Sequence, residues 1–255
     1  MCLIFVAIHQ HPDYPLIVAG NRDEFFQRPT KTLHHWSDSP IIAGKDLTGG
    51  GTWLGITKTG RFAALTNFRD PIEQVANPKS RGQIVKDYLA GNHNTSDYLA
   101  ALETETRFPG FNLLAGQHEQ LWYFSNRANH PPQPLKAGIY GLSNHLLDTP
   151  WPKVKYGKAE LAALLSTTPQ SDTLINEIFD LLNQRKPAAD RELPHTGVGQ
   201  VFEKQLSARF IQAPNIAYGT RCSSVVLMDI NHQYTVIEQN WNAQGDAEEL
   251  ITVTA

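Results

Sequence analysis

The chain of 255 residues is 41% hydrophobic and 18% charged, with 22 basic against 25 acidic side chains and a net charge of -3. That balance describes an ordinary globular protein and leaves no electrostatic footprint for nucleic acid. The two cysteines, Cys2 and Cys222, are too few for a disulfide framework, and no Cys/His spacing points to zinc or any other metal.

The chain opens with a continuous apolar run over residues 2–8, which predicts a strand covered on both faces. This run is too short to span a bilayer and lacks the charged leader of a secretory signal. A cytoplasmic protein with no transmembrane segment is therefore expected. A turn at 11–15 leads into a second strand at 16–19, so residues 2–19 read as a hairpin. Three further strands are expected at 41–44, 52–57 and 62–67, with the glycines at 49–51 and Gly60 in the turns. Residues 80–89 read as a helix capped by Ser80, and residues 96–105 as a second helix. Strands follow at 111–116, 121–125 and 139–143. Helical spacing then recurs at 154–165 and at 174–182, the latter capped by Ser171. Residues 187–199 are the most loop-like stretch, and a hairpin of 223–229 with 234–240 closes the pattern. No linker, repeat or low-complexity tract interrupts residues 1–255, which read as one domain. Hairpins interspersed with pairs of helices argue for an α+β fold of two antiparallel sheets with helices outside, a four-layer αββα sandwich.

Cys2 is the most informative residue, because removal of one methionine would make it an N-terminal cysteine. Its thiol and its free α-amine would then share one residue. An α-amine has an ordinary pKa near ~8, so it can act as the base for that thiol at neutral pH. The polar string Gly20-Asn21-Arg22-Asp23-Glu24 leaves the end of the second strand, and the hairpin brings it towards Cys2. An arginine beside a thiol favours the thiolate, and a carboxylate can orient the amine. Strand alternation allows only one of Asp23 and Glu24 to face Cys2, and Asp23 is the expected one. Trp53, Trp151 and Trp241 read as core or pocket walls, and Cys222 as packing. His34 and His35 read as surface residues. The triple glycine lacks the lysine of a phosphate loop.

The Asn-Arg-Asp-Glu string after Met-Cys and an apolar strand resembles the signature of the NRDE family, which includes the transport and Golgi organization protein 2 group. The resemblance extends in order through Gly-Gly-Gly-Thr-Trp-Leu-Gly at 49–55, Leu-Thr-Asn-Phe-Arg at 65–69, Ser-Arg-Gly at 80–82, Gly-Leu-Ser-Asn at 141–144, Pro-Trp-Pro-Lys at 150–153 and Gly-Thr-Arg-Cys-Ser-Ser at 219–224. That family in turn looks like a distant relative of N-terminal-cysteine amidases with an αββα N-terminal nucleophile (Ntn) hydrolase-like fold. The resemblance implies Cys2 as nucleophile, Asn67 and Asn144 as oxyanion donors, and Arg221 as a late active-site arginine, beside Arg22 and Asp23. One departure matters. Those amidases carry Gly-Arg-Asn-x-Asp, where this chain has Gly-Asn-Arg-Asp-Glu.

Two functions follow as expectations. One is an amide- or acyl-bond hydrolase or acyltransferase that needs no cofactor. The other is a non-catalytic carrier of haem or of an acyl lipid or acyl-coenzyme A, with Cys2, His9, His11 or Arg22 at the mouth of its pocket. In either case the partner is a small amide, acyl or haem ligand.

Overall fold

The computed structural model describes residues 2–167 and 171–255. Two antiparallel sheets are built in chain order from β1 (Cys2–Ile8), β2 (Leu16–Phe25), β3 (Thr30–His35), β4 (Ile41–Asp46), β5 (Leu54–Thr57) and β6 (Arg61–Asn67). After helices α1 (Gly82–Ala90) and α2 (Thr95–Glu103) come β7 (Phe111–Gln117), β8 (Gln120–Ser125), β9 (Gln133–Pro134) and β10 (Gly138–Leu142). Helices α3 (Pro152–Ser166), α4 (Ser171–Leu182) and the short α5 (Gln200–Gln205) precede β11 (Gln212–Ala213), β12 (Tyr218–Met228), β13 (Tyr234–Trp241) and β14 (Ala247–Thr254).

The first sheet runs β10-β1-β2-β12-β13-β14, with β11 beside β12, and the second runs β3 to β9 in sequence order. Strand periodicity explains why both faces of β1 are apolar. Ile4, Val6 and Ile8 join Leu16 and Val18 of β2 against Ile56, Phe62 and Leu114 of the second sheet. Leu3, Phe5 and Ala7 pack the other way, against Val154 and Leu161 of α3 and Ile178 of α4. The outer face of the second sheet, through Ala63 and Leu113, meets Ile84 and Tyr88 of α1 and Leu99 of α2. The expected αββα sandwich is thus the observed one, with helix pairs outside and an apolar seam between the sheets.

The structure differs from the sequence expectations in several places. The second strand continues to Phe25, so the polar string lies within a central strand and not beyond its end. The reason is that its neighbours satisfy it. The Asn21 carboxamide donates to the carbonyls of Leu182 and Arg209, both at 2.9 Å, and accepts from Ser223 Oγ at 2.6 Å. Strands β3 and β14 were not foreseen; both are edge strands whose side chains are mostly exposed or half-buried, so they carry little apolar signal. Helix α1 starts after Arg81, and no side chain caps it, Ser80 included. The side chain of Ser171, the expected cap of α4, lies outside the described residues.

The triple glycine does form the β4–β5 turn, and it also does more. A Cβ on Gly51 would fall 2.3 Å from the carbonyl of Gly82, so only glycine lets this turn press against the start of α1. That contact shapes one wall of the hollow described next.

Candidate functional site

Cys2 is the first residue of β1 and stands directly opposite Arg22 of β2. Opposed residues in an antiparallel pair share a face, here the one turned towards the second sheet. At this end of the sandwich the apolar seam gives way to a hollow of ≈ 440 Å³ lined by Cys2, Arg22, Glu24, Trp53, Asn67 and Arg81, among others. Only 7% of Cys2 is exposed, and its carbonyl accepts from Ser143 Oγ at 3.2 Å. Burial pushes the thiol above its ordinary range, and the Asp23 charge adds to that. The charge of the chain's amino terminus, then the Arg22 charge and a hydrogen bond from the Asp23 backbone, pull it back.

Strand alternation also separates the two acids. Glu24 lies on the same side as Arg22, with its Oε2 3.9 Å from Arg22 Nη2. Asp23 turns the other way, with Asn21. Its Oδ1 accepts from Thr220 Oγ1 at 2.8 Å, and its carbonyl accepts from the Tyr218 hydroxyl at 3.0 Å. Asp23 borders the hollow, and its carboxyl group also reaches a buried charge cluster behind the strand. Burial pushes that carboxyl up, while the charge of the chain's amino terminus, Lys153, Thr220 and Arg22 pull it down. Lys153, 4% exposed, is in turn lowered by burial to about 8, with Asp23 opposing the shift. Beside it, Arg69 Nη1 donates to Glu203 Oε2 at 2.7 Å, and its guanidinium stacks 4.8 Å above the Trp151 ring.

Of the two asparagines, Asn67 reaches the hollow. Its carboxamide makes no hydrogen bond among the described residues, which leaves its donor available to a ligand. Asn144 stands behind it, fully buried, and its Nδ2 donates to the Asn67 carbonyl at 3.0 Å. It therefore braces Asn67 and does not itself line the hollow. Arg221 is placed elsewhere. It is the extra residue of a bulge between Thr220 and Cys222, where β12 shifts register against β2. Its Nη1 donates to the carbonyls of Phe25, Phe26 and Arg28 at 3.0 to 3.3 Å, holding the loop after β2. It borders a smaller hollow of ≈ 210 Å³ that shares Arg22 and Trp53 with the first.

His9 and His11 lie beyond the far end of β1, roughly 20 Å from Cys2 by strand rise, and no histidine lines either hollow. Their expected place at the pocket mouth is thus corrected. Among the described residues no group of three or more His, Cys, Asp or Glu is arranged to hold a metal, and no helix is long and apolar enough to cross a membrane.

Four residues of this region escaped the sequence reading. Arg81 lines the hollow, donates to the Gly110 carbonyl at 3.1 Å and makes no ion pair among the described residues. Lys153, Arg69 and Glu203 form the cluster behind Asp23. Arg81, Arg69 and Lys153 end or sit within the motifs at 80–82, 65–69 and 150–153, so the signal was present. What was missing was the topology that folds three distant motifs onto one strand.

The family model of Transport and Golgi organisation 2 matches residues 1–243. The human Transport and Golgi organization protein 2 homolog is 34% identical over 263 residues, covering 94% of this chain and 93% of its own. The Drosophila melanogaster protein of that name is 32% identical over 269 residues, covering 94% and 92%. Among solved structures, a Caenorhabditis elegans N-acylethanolamine-hydrolyzing acid amidase ortholog superposes with a TM-score of 0.49 at 10% identity, over 89% of this chain and 92% of its own. A mutant conjugated bile acid hydrolase from Clostridium perfringens gives 0.43 at 13% identity, over 99% and 96%. The family match over nearly the whole chain, together with relatives a third identical along almost all of it, means that this protein belongs to the Transport and Golgi organisation 2 family.

Proposed function

We propose that the protein is a cysteine-dependent hydrolase or acyltransferase acting on an amide or acyl bond, with Cys2 as nucleophile. The observation that carries this reading is one juxtaposition: a cysteine at the start of the chain, directly opposite Arg22, in a hollow that also holds the uncommitted carboxamide of Asn67.

Removal of Met1 frees the α-amine of Cys2. The thiol proton passes to that amine as Sγ attacks the substrate carbonyl, and the Arg22 charge steadies the thiolate. The oxyanion faces the Asn67 carboxamide, kept in place by Asn144. On collapse the C–N or C–X bond breaks, and the ammonium returns its proton to the leaving group. Water, or an acceptor nucleophile, then attacks the thioester and restores the thiol. A single oxyanion donor contributes ~3 kcal/mol, so Asn67→Ala is expected to cost roughly 100-fold in the chemical step. The test is a burst of acyl-enzyme from an activated ester. Wild type should give about one equivalent, held as a hydroxylamine-labile adduct, and Cys2→Ala none. Equal turnover by Cys2→Ala removes the proposal.

A carrier of acyl-coenzyme A or of haem is the second reading. The cations Arg22, Lys79 and Arg81 at the same hollow favour an anionic cargo. Here Cys2→Ala should keep full affinity for the cargo, measured by fluorescence quenching for the acyl-coenzyme A and by the Soret shift for haem. Binding that depends on Cys2 and ends in cleavage speaks against it.

A further inference from the structure

Two motifs that the chemistry at Cys2 leaves unused meet on one wall of its hollow. The glycine turn at 49–51 lies against Ser80 and Gly82 at the start of α1, and Gly49, Ser80, Arg81 and Gly82 all border the hollow. A Cβ on Gly49 would fall 2.6 Å from Ser80 Oγ, so a glycine here keeps the turn low beside that hydroxyl. Gln83 Nε2 clamps the turn from α1, donating to the Gly49 carbonyl at 2.7 Å. Ser80 and Arg81 are both half-buried. The Ser80 hydroxyl makes no hydrogen bond among the described residues. Arg81 donates from Nη1 to the Gly110 carbonyl at 3.1 Å, while its Nε and Nη2 make no hydrogen bond among those residues and neither is sealed from solvent.

The other cations lining the hollow are already engaged. Arg28 donates from Nε and Nη2 to Asp46 Oδ2 at 3.0 and 2.7 Å, Lys79 pairs with Glu105, and Arg22 stands opposite Cys2. The acids are engaged as well. Asp46 also accepts from the backbone N–H groups of Thr48 and Gly49, Glu24 lies 3.9 Å from both Arg22 and Arg28, and Asp23 is held by Thr220. Arg81 makes no ion pair among the described residues. Burial lowers its pKa and the Arg28 charge adds to that, while the charges of Cys2 and Glu24 oppose it. The open Nε–Nη2 edge of a guanidinium is a fork for two oxygens of one carboxylate or phosphate. A serine hydroxyl on the same wall can donate to a further oxygen.

We propose that this wall is a specificity subsite, in which Arg81 and Ser80 hold a carboxylate or phosphate group of the substrate. The chemistry at Cys2 is thereby directed to acyl or amide compounds that carry an oxyanion close to the bond that is cut. What the anion is joined to rests on the hydrolase reading. One hollow of ≈ 440 Å³ reaches from Cys2 to Arg81, room for a single small molecule to span both. The two arginines then divide the work: Arg22 acts on the sulfur, and Arg81 on the far end of the substrate.

The test is protection of Cys2 from iodoacetamide in the full chain, read by peptide mass spectrometry at constant pH and ionic strength, a measurement that needs no turnover. N-acetylglycine and glycerol phosphate are compared with their neutral counterparts, N-acetylglycinamide and glycerol. The expected result is saturable protection by at least one anion and none by either neutral compound. Protection by N-acetylglycine alone marks the group as a carboxylate, and by glycerol phosphate alone as a phosphate ester. Arg81→Gln should raise the half-protecting concentration about tenfold or more, since a charge-assisted contact is lost, and Ser80→Ala about threefold. Arg81→Lys should recover part of the loss, because it keeps the charge without the fork. No protection by either anion at millimolar concentration, equal protection by the neutral compounds, or unaltered protection in Ser80→Ala and a folded Arg81→Gln overturns the proposal. An absent acyl-enzyme burst with protection intact removes the hydrolase reading instead, so the two failures are told apart.

Discussion

Replacing Arg22 with glutamine should slow alkylation of Cys2 by roughly tenfold. The guanidinium is well placed to act on the sulfur. It lies directly across the strand pair, is 7% exposed, and is otherwise only loosely engaged, 3.4 Å from Thr30 Oγ1 and 3.9 Å from Glu24 Oε2. At a charge separation of about 5 Å and an effective dielectric of about 40, for a pocket open to water on one side, Coulomb's law gives ~1.5 kcal/mol. That is close to a factor of ten in thiolate population at any pH below the thiol's own pKa. Burial already holds the thiol above its ordinary range, so the rate should climb with pH in both proteins. The glutamine variant should follow the same curve, displaced to higher pH, and the two should converge once both thiols are ionised. The assay is the rate of iodoacetamide capture between pH 6 and 10, with peptide mass spectrometry to separate Cys2 from Cys222. Cys222 should lag far behind, because burial holds it well above its ordinary range. Superimposable pH profiles for wild type and Arg22→Gln refute the argument that this arginine governs the thiol.

Lys153 gives a pH signature of stability. Its folded value of about 8 lies below its ordinary 10.5, so the unfolded chain holds the proton more tightly between those values. Wild-type stability should therefore rise by up to about 3 kcal/mol across that window, and urea midpoints of Lys153→Met should lack the rise. Gly157→Ala places a Cβ 2.2 Å from Cζ of the buried Phe5 at the α3–β1 contact. The overpacking, ~1–3 kcal/mol, should outweigh the ~1 kcal/mol gained in helix propensity, lowering the thermal midpoint; a raised midpoint refutes this. Asn144→Ala removes the bond to the Asn67 carbonyl and should cost ~1–3 kcal/mol in denaturant titration, an unchanged midpoint showing that the brace is idle.

The layers of the fold were legible because period-two and helical apolar patterns encode which faces are covered. The central strands β1, β2 and β12 bury residues on both sides and read clearly. The edge strands β3 and β14 bury few and read as loops. At the site, Cys2 pairs with Arg22 as the hairpin of β1 and β2 requires, since their pairing is local. It could not assign Asp23 its partners, because Thr220, Lys153 and Arg69 come from three distant segments. Arg221 was misplaced for a different reason: a single-residue bulge in β12 re-aims its side chain, and nothing in the local sequence announces a bulge.

The central claim is that Cys2 acts as an N-terminal nucleophile, and the mass of the N-terminal peptide of purified protein, before and after exposure to an activated acyl donor, tests it most directly. The account predicts a peptide that begins at Cys2 and gains one acyl group on sulfur. A peptide that keeps Met1 and stays unmodified, while the protein is folded and active in its binding assays, contradicts it.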